Sequence, residues 1–348
     1  MRRKSEVMFE VEKVMASQTV RPDGERVRIG VVGCGVMGRN HARVLSEIAA
    51  ADLVAIADPD LAAAAPVAAQ LGTQAVPDIE ALIALGCEAM VIAAPTHLHH
   101  PLATLAIERG IHVLIEKPIA SNPEEGRDLV QKAVRAGVTL MVGHVERFNQ
   151  AVQTVKEAIR DEDILSIAIT RVGPFPPRMS NVGVVIDLAV HDIDLIRWLT
   201  ESDIVEVQPQ LSNAVAERED IALLQFRTAS GVLAHINTNW LTPFKARHIH
   251  VATRDKYVIG DLITRQVTEC SGYRPDGSYS MRHLPVGHTE PLRLELNSFL
   301  NALSSGIPPG VTGEEGVISL DIAMRCLAGA ANAPAIADFA AAKVRKAR

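Results

Sequence analysis

Three groups of side chains have the types and spacing to do chemistry: Gly33, Gly35 and Gly38 with Asp58; the triplet Glu116-Lys117-Pro118; and Asp187 with His191 and Asp194. The glycines keep the GxGxxG spacing directly after the apolar run 27–32, where a buried strand would turn into a helix. There the first glycine permits a tight turn, the second lets a pyrophosphate approach the backbone, and the third lets the helix pack on its strand. Unpaired N–H groups at the helix start, aided by its dipole, then hold the phosphates. Glycines so spaced also occur in chance loops. Asp58 is the second signal, because it closes the apolar run 53–57 at the place where a carboxylate accepts hydrogen bonds from ribose hydroxyls. A 2′-phosphate would meet a negative charge there with no neighbouring arginine, so the expected cofactor is NAD rather than NADP.

Lys117 follows the apolar run 111–115, the fifth of its kind, and ligands of open α/β sheets gather at the carboxyl ends of such strands. There it would face the nicotinamide end, lowering the pKa of a reacting hydroxyl and helping to relay its proton. The alternative is an ordinary surface charge. Asp187 and His191 are four apart and would share a helix face with Asp194. Three ligand-type residues on one face can bind a metal, but NAD already supplies the electrophile and no cysteine or second histidine has matching spacing. No metal is expected. His191 is read as the base that takes the proton of a sugar hydroxyl while hydride leaves the same carbon, with Asp187 orienting it. A satisfied structural histidine is the competing reading.

The elements that must position these residues change character along the chain. From Val27 onwards, short apolar runs near 27–32, 53–57, 73–76, 89–94, 111–115 and 138–142 alternate with amphipathic stretches, the βαβ rhythm of a parallel sheet. The clearest helix is 123–136, with Asn122 as cap, Pro123 at the first helical position, Glu125 completing a capping box and Gly137 ending it. Pro66, inside the alanine-rich stretch 60–71, should kink or delay its helix. After Gly143 a helix near 147–160, a strand at 164–172 and a helix near 184–199 precede strands at about 204–215, 219–228, 231–240, 247–254 and 256–268, the mark of a mainly antiparallel sheet. In 231–240, Val232, Ala234, Ile236 and Trp240 fall on one face and His235, Asn237 and Asn239 on the other. Helices near 290–305 and 313–330 follow. The predicted fold class is α/β. An N-terminal arm (1–25) leads to a doubly wound parallel Rossmann domain (26–145), an α+β substrate-binding and oligomerisation domain with an open, mainly antiparallel sheet (146–332), and a C-terminal tail (333–348).

Composition narrows the function classes. The chain of 348 residues carries a net charge of -6 and only 12 aromatic residues, which argues against a nucleic-acid surface. No apolar run approaches the ~20 residues of a bilayer span, and no signal-peptide core is present, so no membrane partner is expected. Cys34, Cys87, Cys270 and Cys326 form no CxxC pair and read as reduced thiols of a cytoplasmic protein. The polar face of strand 231–240 sits beside apolar neighbours, and a partner sheet is its natural cover. A homo-oligomer, a dimer of dimers, is predicted.

With these motifs in hand, residues 26 to 332 resemble the glucose-fructose oxidoreductase, inositol dehydrogenase and rhizopine-catabolism (Gfo/Idh/MocA) family. The resemblance rests on Gly33-Cys34-Gly35-Val36-Met37-Gly38, on Glu116-Lys117-Pro118, and on Asp187 with His191. It implies an NAD(P)-binding domain contacted by Val36, Met37 and Glu116 besides the glycines, and catalytic positions at Lys117, Asp187 and His191, which would also meet substrate. The segment 93–99 is similar to the family's fourth-strand stretch along the cofactor, which adds Pro95, Thr96 and His99 to the cofactor set. A narrower likeness, through Val142 to Asn149 and Arg171 to Arg178, points to the UDP-N-acetylglucosamine 3-dehydrogenases. It implies oxidation of the sugar's 3-hydroxyl to a ketone, which an aminotransferase then converts to a 3-amino sugar, for instance for lipopolysaccharide biosynthesis. Arg147, Arg171 and Arg178, with Asn149, become candidates for the nucleotide-sugar substrate, since guanidinium groups suit phosphate oxygens. Scattered surface arginines are the alternative. Rival functions are a dehydrogenase of an inositol, another sugar or a UDP-sugar uronate, and, from another class, a non-catalytic NAD-binding regulator. Lys117 and His191 speak against the last.

Overall fold

The first apolar run, Val27–Val32 (β1), lies inside a six-stranded sheet in the computed structural model, which describes residues 25–175 and 182–331. It is joined by β2 (Ala51–Ala57), β3 (Gln74–Val76), β4 (Ala89–Ile92), β5 (His112–Glu116) and β6 (Leu140–Gly143) in the order β3-β2-β1-β4-β5-β6. Every pair is parallel, and helices bury both faces, which is why these strands read as apolar runs rather than alternations. The chain steps outward from β1 through β3, then crosses back to β4 on the other side of β1. The crevice outside the carboxyl ends of β1 and β4 is therefore the topological switch point.

The intervening helices are α1 (Val36–Glu47), α2 (Leu61–Gln70), α3 (Ile79–Ala84), α4 (His99–Glu108) and α5 (Pro123–Ala136). In α5 the cap forms as expected, with the Glu125 N–H donating to the Asn122 side chain at 2.9 Å and Gly137 closing the helix at φ +66°. The Glu125 carboxylate, however, accepts from the Ser121 N–H rather than from that of Asn122. Nor does Pro66 delay α2, which starts at Leu61 under an Asp60 cap.

The second sheet has eight strands: β7 (Ile164–Pro174), β8 (Ile204–Ser212), β9 (Ile221–Thr228), β10 (Leu233–Asn239), β11 (Leu241–Thr253), β12 (Lys256–Asp261), β13 (Gln266–Ser271) and β14 (Ser280–Leu284). Their order is β14-β13-β12-β11-β7-β10-β9-β8, antiparallel throughout except for β7 beside β10. The strand expected at 256–268 is two strands. A turn divides it where the Asp261 carboxylate accepts from the N–H groups of Ile263 and Thr264. β14 lacks the inward apolar residues that would have announced it. Helices α6 (Gln150–Ala158) and α7 (Val190–Thr200) contribute to the core of this second unit together with Ile167, Ile169, Ala234, Ile236, Ile249 and Val251.

Of the final helices, α8 (Pro291–Ser305) returns to the first unit and α9 (Gly313–Ala331) bridges the two: Leu292, Leu296, Phe299, Val317 and Leu320 join the core beneath the parallel sheet, while Ile322, Ala323 and Cys326 join the second core. The division at 145/146 is therefore not a simple cut in sequence. Among the described residues no helix is long and apolar enough to cross a membrane. The N-terminal arm, Arg178 and the tail 333–348 fall outside the described residues, apart from Glu25.

Candidate active site

At the end of β1 the three glycines divide their work. Gly33 adopts φ +95°, and a Cβ there would lie 2.7 Å from the Ala93 carbonyl oxygen; one on Gly38 would lie 1.8 Å from the Gly33 carbonyl oxygen. Both positions therefore exclude any side chain. A Cβ on Gly35 would meet nothing within 4 Å, so the loop is open on that side. Beside this opening α1 begins without a side-chain cap, leaving the N–H groups of its first turn available. Val36 is exposed at this opening, while the Met37 side chain leans on the core and leaves its backbone N–H to the loop. Asp58, after β2, accepts from the Cys34 N–H at 2.6 Å and from the Asp60 N–H at 2.8 Å. Its carboxylate thus braces the loop and retains lone pairs for two vicinal hydroxyls. An open glycine, free helix-start N–H groups and a carboxylate at the neighbouring strand end fit the diphosphate and adenosine ribose of NAD.

The chemistry gathers farther along the same sheet edge. Lys117 leaves β5 beside a cis Lys117–Pro118 peptide, and its ammonium donates to the Asp187 carbonyl at 2.8 Å and to the Asp187 carboxylate at 3.1 Å. His191 is 9% exposed and meets His144, at the end of β6, edge to face with ring centroids 5.8 Å apart. Burial, then the charges of Lys117 and Arg171, hold His191 well below the ordinary histidine pKa, so it stands neutral at neutral pH. Both nitrogens of His144 and Nδ1 of His191 are buried with no hydrogen-bond partner among the described residues. Such groups are costly unless something polar comes to meet them, which marks this end of the cleft as the place for polar ligand atoms.

Several expected roles change. Asp187 does not orient His191: residues Val185–Ala189 form a π-turn before α7, and its wider winding breaks the four-residue alignment of a regular helix. The Asp187 carboxylate goes to Lys117 instead. Glu116 turns inward to accept from the buried His41 ring at 2.8 Å, which leaves it 7% exposed. Burial alone would raise its pKa, but the bond and charge of His41, with Lys117, hold it below the ordinary carboxylate value. His99 is 1% exposed, its two ring nitrogens facing the carbonyls of Pro118 and Ala94, so it ties the β4 loop to the Lys117 loop rather than touching a ligand. Pro95 and Thr96 do remain accessible at the end of β4.

Nor are Arg147 and Arg171, the two candidate phosphate arginines among the described residues, open to a ligand. Arg147 is 3% exposed, paired in a two-pronged bond with Asp194 at 2.7 Å and bound to Glu315 at 2.6 Å. Arg171 is 2% exposed and divides its guanidinium between Asp192 and Glu146. Their pKa values rise because the partner carboxylates outweigh the effect of burial. Asn149 is buried as well, capping α6 at the Ala151 N–H and donating to the Leu262 carbonyl. These residues fasten the second unit to the helices above it.

Two residues near the centre carried signals that sequence reasoning passed over. His144 ends a parallel strand, where ligands collect, and Arg247 shares the inward parity of Ile249 and Val251 in β11.

Known proteins bear on this geometry. Residues 27–144 match the model of the Gfo/Idh/MocA oxidoreductase family, NAD-binding Rossmann fold, and residues 152–259 match the C-terminal domain of the same family. The chain is 30% identical over 294 residues to the UDP-N-acetylglucosamine 3-dehydrogenase of Acidithiobacillus ferrooxidans, covering 83% of this chain and 93% of that one. It is 33% identical over 327 residues to the inositol 2-dehydrogenase of Rubrobacter xylanophilus, covering 89% and 92%. A solved structure of the Acidithiobacillus enzyme superposes with a TM-score of 0.82 at 29% identity, over 87% of this chain and 97% of that one. An NAD-binding Rossmann domain, a mainly antiparallel second sheet and matches to both family models place the conclusion beyond the glycine motif alone: the chain belongs to the Gfo/Idh/MocA family of oxidoreductases.

Proposed function

We infer that the protein oxidises the 3-hydroxyl of UDP-N-acetylglucosamine to a ketone, with NAD as preferred cofactor. The observation that carries the chemistry is the charged Lys117, held by Asp187, beside the neutral and under-bonded His191. NAD supplies the hydride acceptor when bound. The Lys117 ammonium would donate a hydrogen bond to the reacting oxygen and offset the negative charge that develops on it. His191, already neutral, would take the hydroxyl proton as hydride leaves the carbon. A non-catalytic regulator has no use for this pairing. For the substrate, the similarity to the Acidithiobacillus enzyme over most of both chains favours the nucleotide sugar, while the similarity to inositol dehydrogenases supports a cyclic polyol as the second reading. The product's place before an aminotransferase, and assembly into a tetramer in the cytoplasm, belong to this same reading. Product analysis tests it: mass spectrometry of a reaction run in ¹⁸O-water should show exchange into a 3-keto sugar, and a substrate unchanged after long incubation with NAD would refute it.

A further inference from the structure

We propose that Arg247 receives a phosphate of the substrate, making the enzyme selective for sugars that carry a diphosphate. This rests on the dehydrogenase reading and names what holds the non-reacting part of its substrate.

Of the arginines around the catalytic side chains, Arg147 and Arg171 are spent. Arg147 directs Nε and both Nη atoms to Asp194, Glu315 and the Gly310 carbonyl, and Arg171 directs all three nitrogens to Asp192 and Glu146. Arg247 stands opposite Arg171 across the β7–β11 pairing, on the same inner face. Its side chain keeps 36% exposure, against 3% for Arg171 and 4% for Arg147. One bond anchors it, from Nη1 to the Glu146 carboxylate at 2.9 Å, and that oxygen is shared with Arg171 Nη1 at 2.8 Å.

That anchor leaves Nε and Nη2 without partners among the described residues. These two nitrogens form one complete edge of the guanidinium, the edge that meets two oxygens of a phosphate in parallel. A lysine in the same place would offer a point charge without the fork. Arg247 also belongs electrostatically to the catalytic cleft. Its charge helps to hold His191 neutral, while Asp187 acts on Arg247 in turn. Burial and the neighbouring Arg171 hold its own pKa below the usual arginine value, so an added anion would be welcome there. The chemistry of the proposed substrate matches this placement: the carbon bearing the 3-hydroxyl is two ring bonds from the carbon that carries the glycosyl phosphate. An arginine beside the residues that handle the hydroxyl is therefore within reach of that phosphate. A neutral polyol offers no such group.

The test uses the full-length, NAD-loaded protein with Arg247→Gln and Arg247→Lys. Titration with UDP alone reads the phosphate contact without any turnover. Arg247→Gln should weaken UDP binding by about tenfold to a hundredfold, the range of a lost charge-assisted hydrogen bond. Arg247→Lys should recover part of it. With UDP-N-acetylglucosamine the same loss should appear in KM, with kcat and NAD affinity nearly unchanged, whereas a merely structural arginine would move kcat, NAD affinity and melting temperature together. Unchanged UDP affinity in Arg247→Gln, or a parent protein that does not bind UDP, overturns the assignment. If UDP binding depends on Arg247 but UDP-N-acetylglucosamine is not oxidised, Arg247 stands and the proposed sugar falls. If the sugar is oxidised and UDP binding ignores Arg247, the reverse holds.

Discussion

The Lys117 ammonium reaches across from the parallel sheet to grip Asp187 twice, at its carbonyl and at its carboxylate, and so joins the cofactor-binding unit to the helix that carries His191. A contact spanning 70 positions thereby holds in place a charge that acts on His191. Lys117 is the largest charge holding His191 neutral, after burial itself.

This relationship makes a prediction about pH. In the parent protein the acidic limb of kcat/KM should lie below pH 6.5, the ordinary histidine value, because burial and Lys117 both depress His191. In Lys117→Met one source of that depression is gone, so the limb should move to higher pH while turnover falls by roughly 10²- to 10⁴-fold. Rate profiles of the two proteins decide the matter, and a limb that stays in place would separate His191 from Lys117.

Asp187→Asn should behave as damage to Lys117 rather than to His191. The amide still accepts one hydrogen bond but cannot pair with the ammonium, so turnover should fall by less than in Lys117→Met. NAD affinity, measured by fluorescence titration, should stay near the parent value. A loss of turnover equal to that of His191→Ala would restore the orienting role that the π-turn argues against.

Arg147 offers a contrast between stability and binding. Arg147→Ala leaves Asp194, which is fully buried, without its counter-ion, and breaking such a pair typically costs about 3–5 kcal/mol. Denaturant unfolding should show this loss. A stable Arg147→Ala protein with only a raised substrate KM would make Arg147 a ligand residue after all.

Beneath the active site Glu295 is fully buried, its carboxyl oxygens unpartnered among the described residues, and burial together with Glu116 raises its pKa well above 4.5. A raised folded-state pKa means that full stability is present below the unfolded value and is lost as pH rises toward the folded one. Glu295→Gln removes that liability. Its stability advantage over the parent should be small near pH 4.5 and widen with increasing pH, by up to about 1.4 kcal/mol per unit. Thermal melts across this range test it; an advantage independent of pH would mean that the carboxyl titrates normally.

The sequence made local features readable and left long-range pairings out of sight. The glycine loop, Asp58 and the strand ends could be placed because each depends on neighbours in the chain and on apolar periodicity. Which arginine is neutralised could not, since Arg147 finds Asp194 and Glu315, and Arg171 finds Asp192, only through the fold. The i,i+4 reading of Asp187 and His191 failed for a local reason, a single wide turn that leaves no plain mark in residue types. The return of α8 to the first core and the sharing of α9 between both were likewise invisible, because their apolar faces do not say which sheet they cover.

The outer face of the second sheet bears on assembly. Leu223 and Leu233 are about half exposed there, beside the polar His235 and Asn237. A homo-oligomer formed through this face should sediment above the monomer at micromolar concentration, and Leu223→Glu with Leu233→Glu should dissociate it. A monomeric parent would contradict the expectation.

The most direct measurement is NAD reduction followed with UDP-N-acetylglucosamine, its 6-uronate, UDP-glucose and myo-inositol, each with the parent protein and with His191→Ala. The proposed function requires NADH to form fastest with UDP-N-acetylglucosamine and its formation to fall by roughly 10²- to 10⁴-fold in His191→Ala. Preference for myo-inositol, or near-normal turnover without His191, would contradict it.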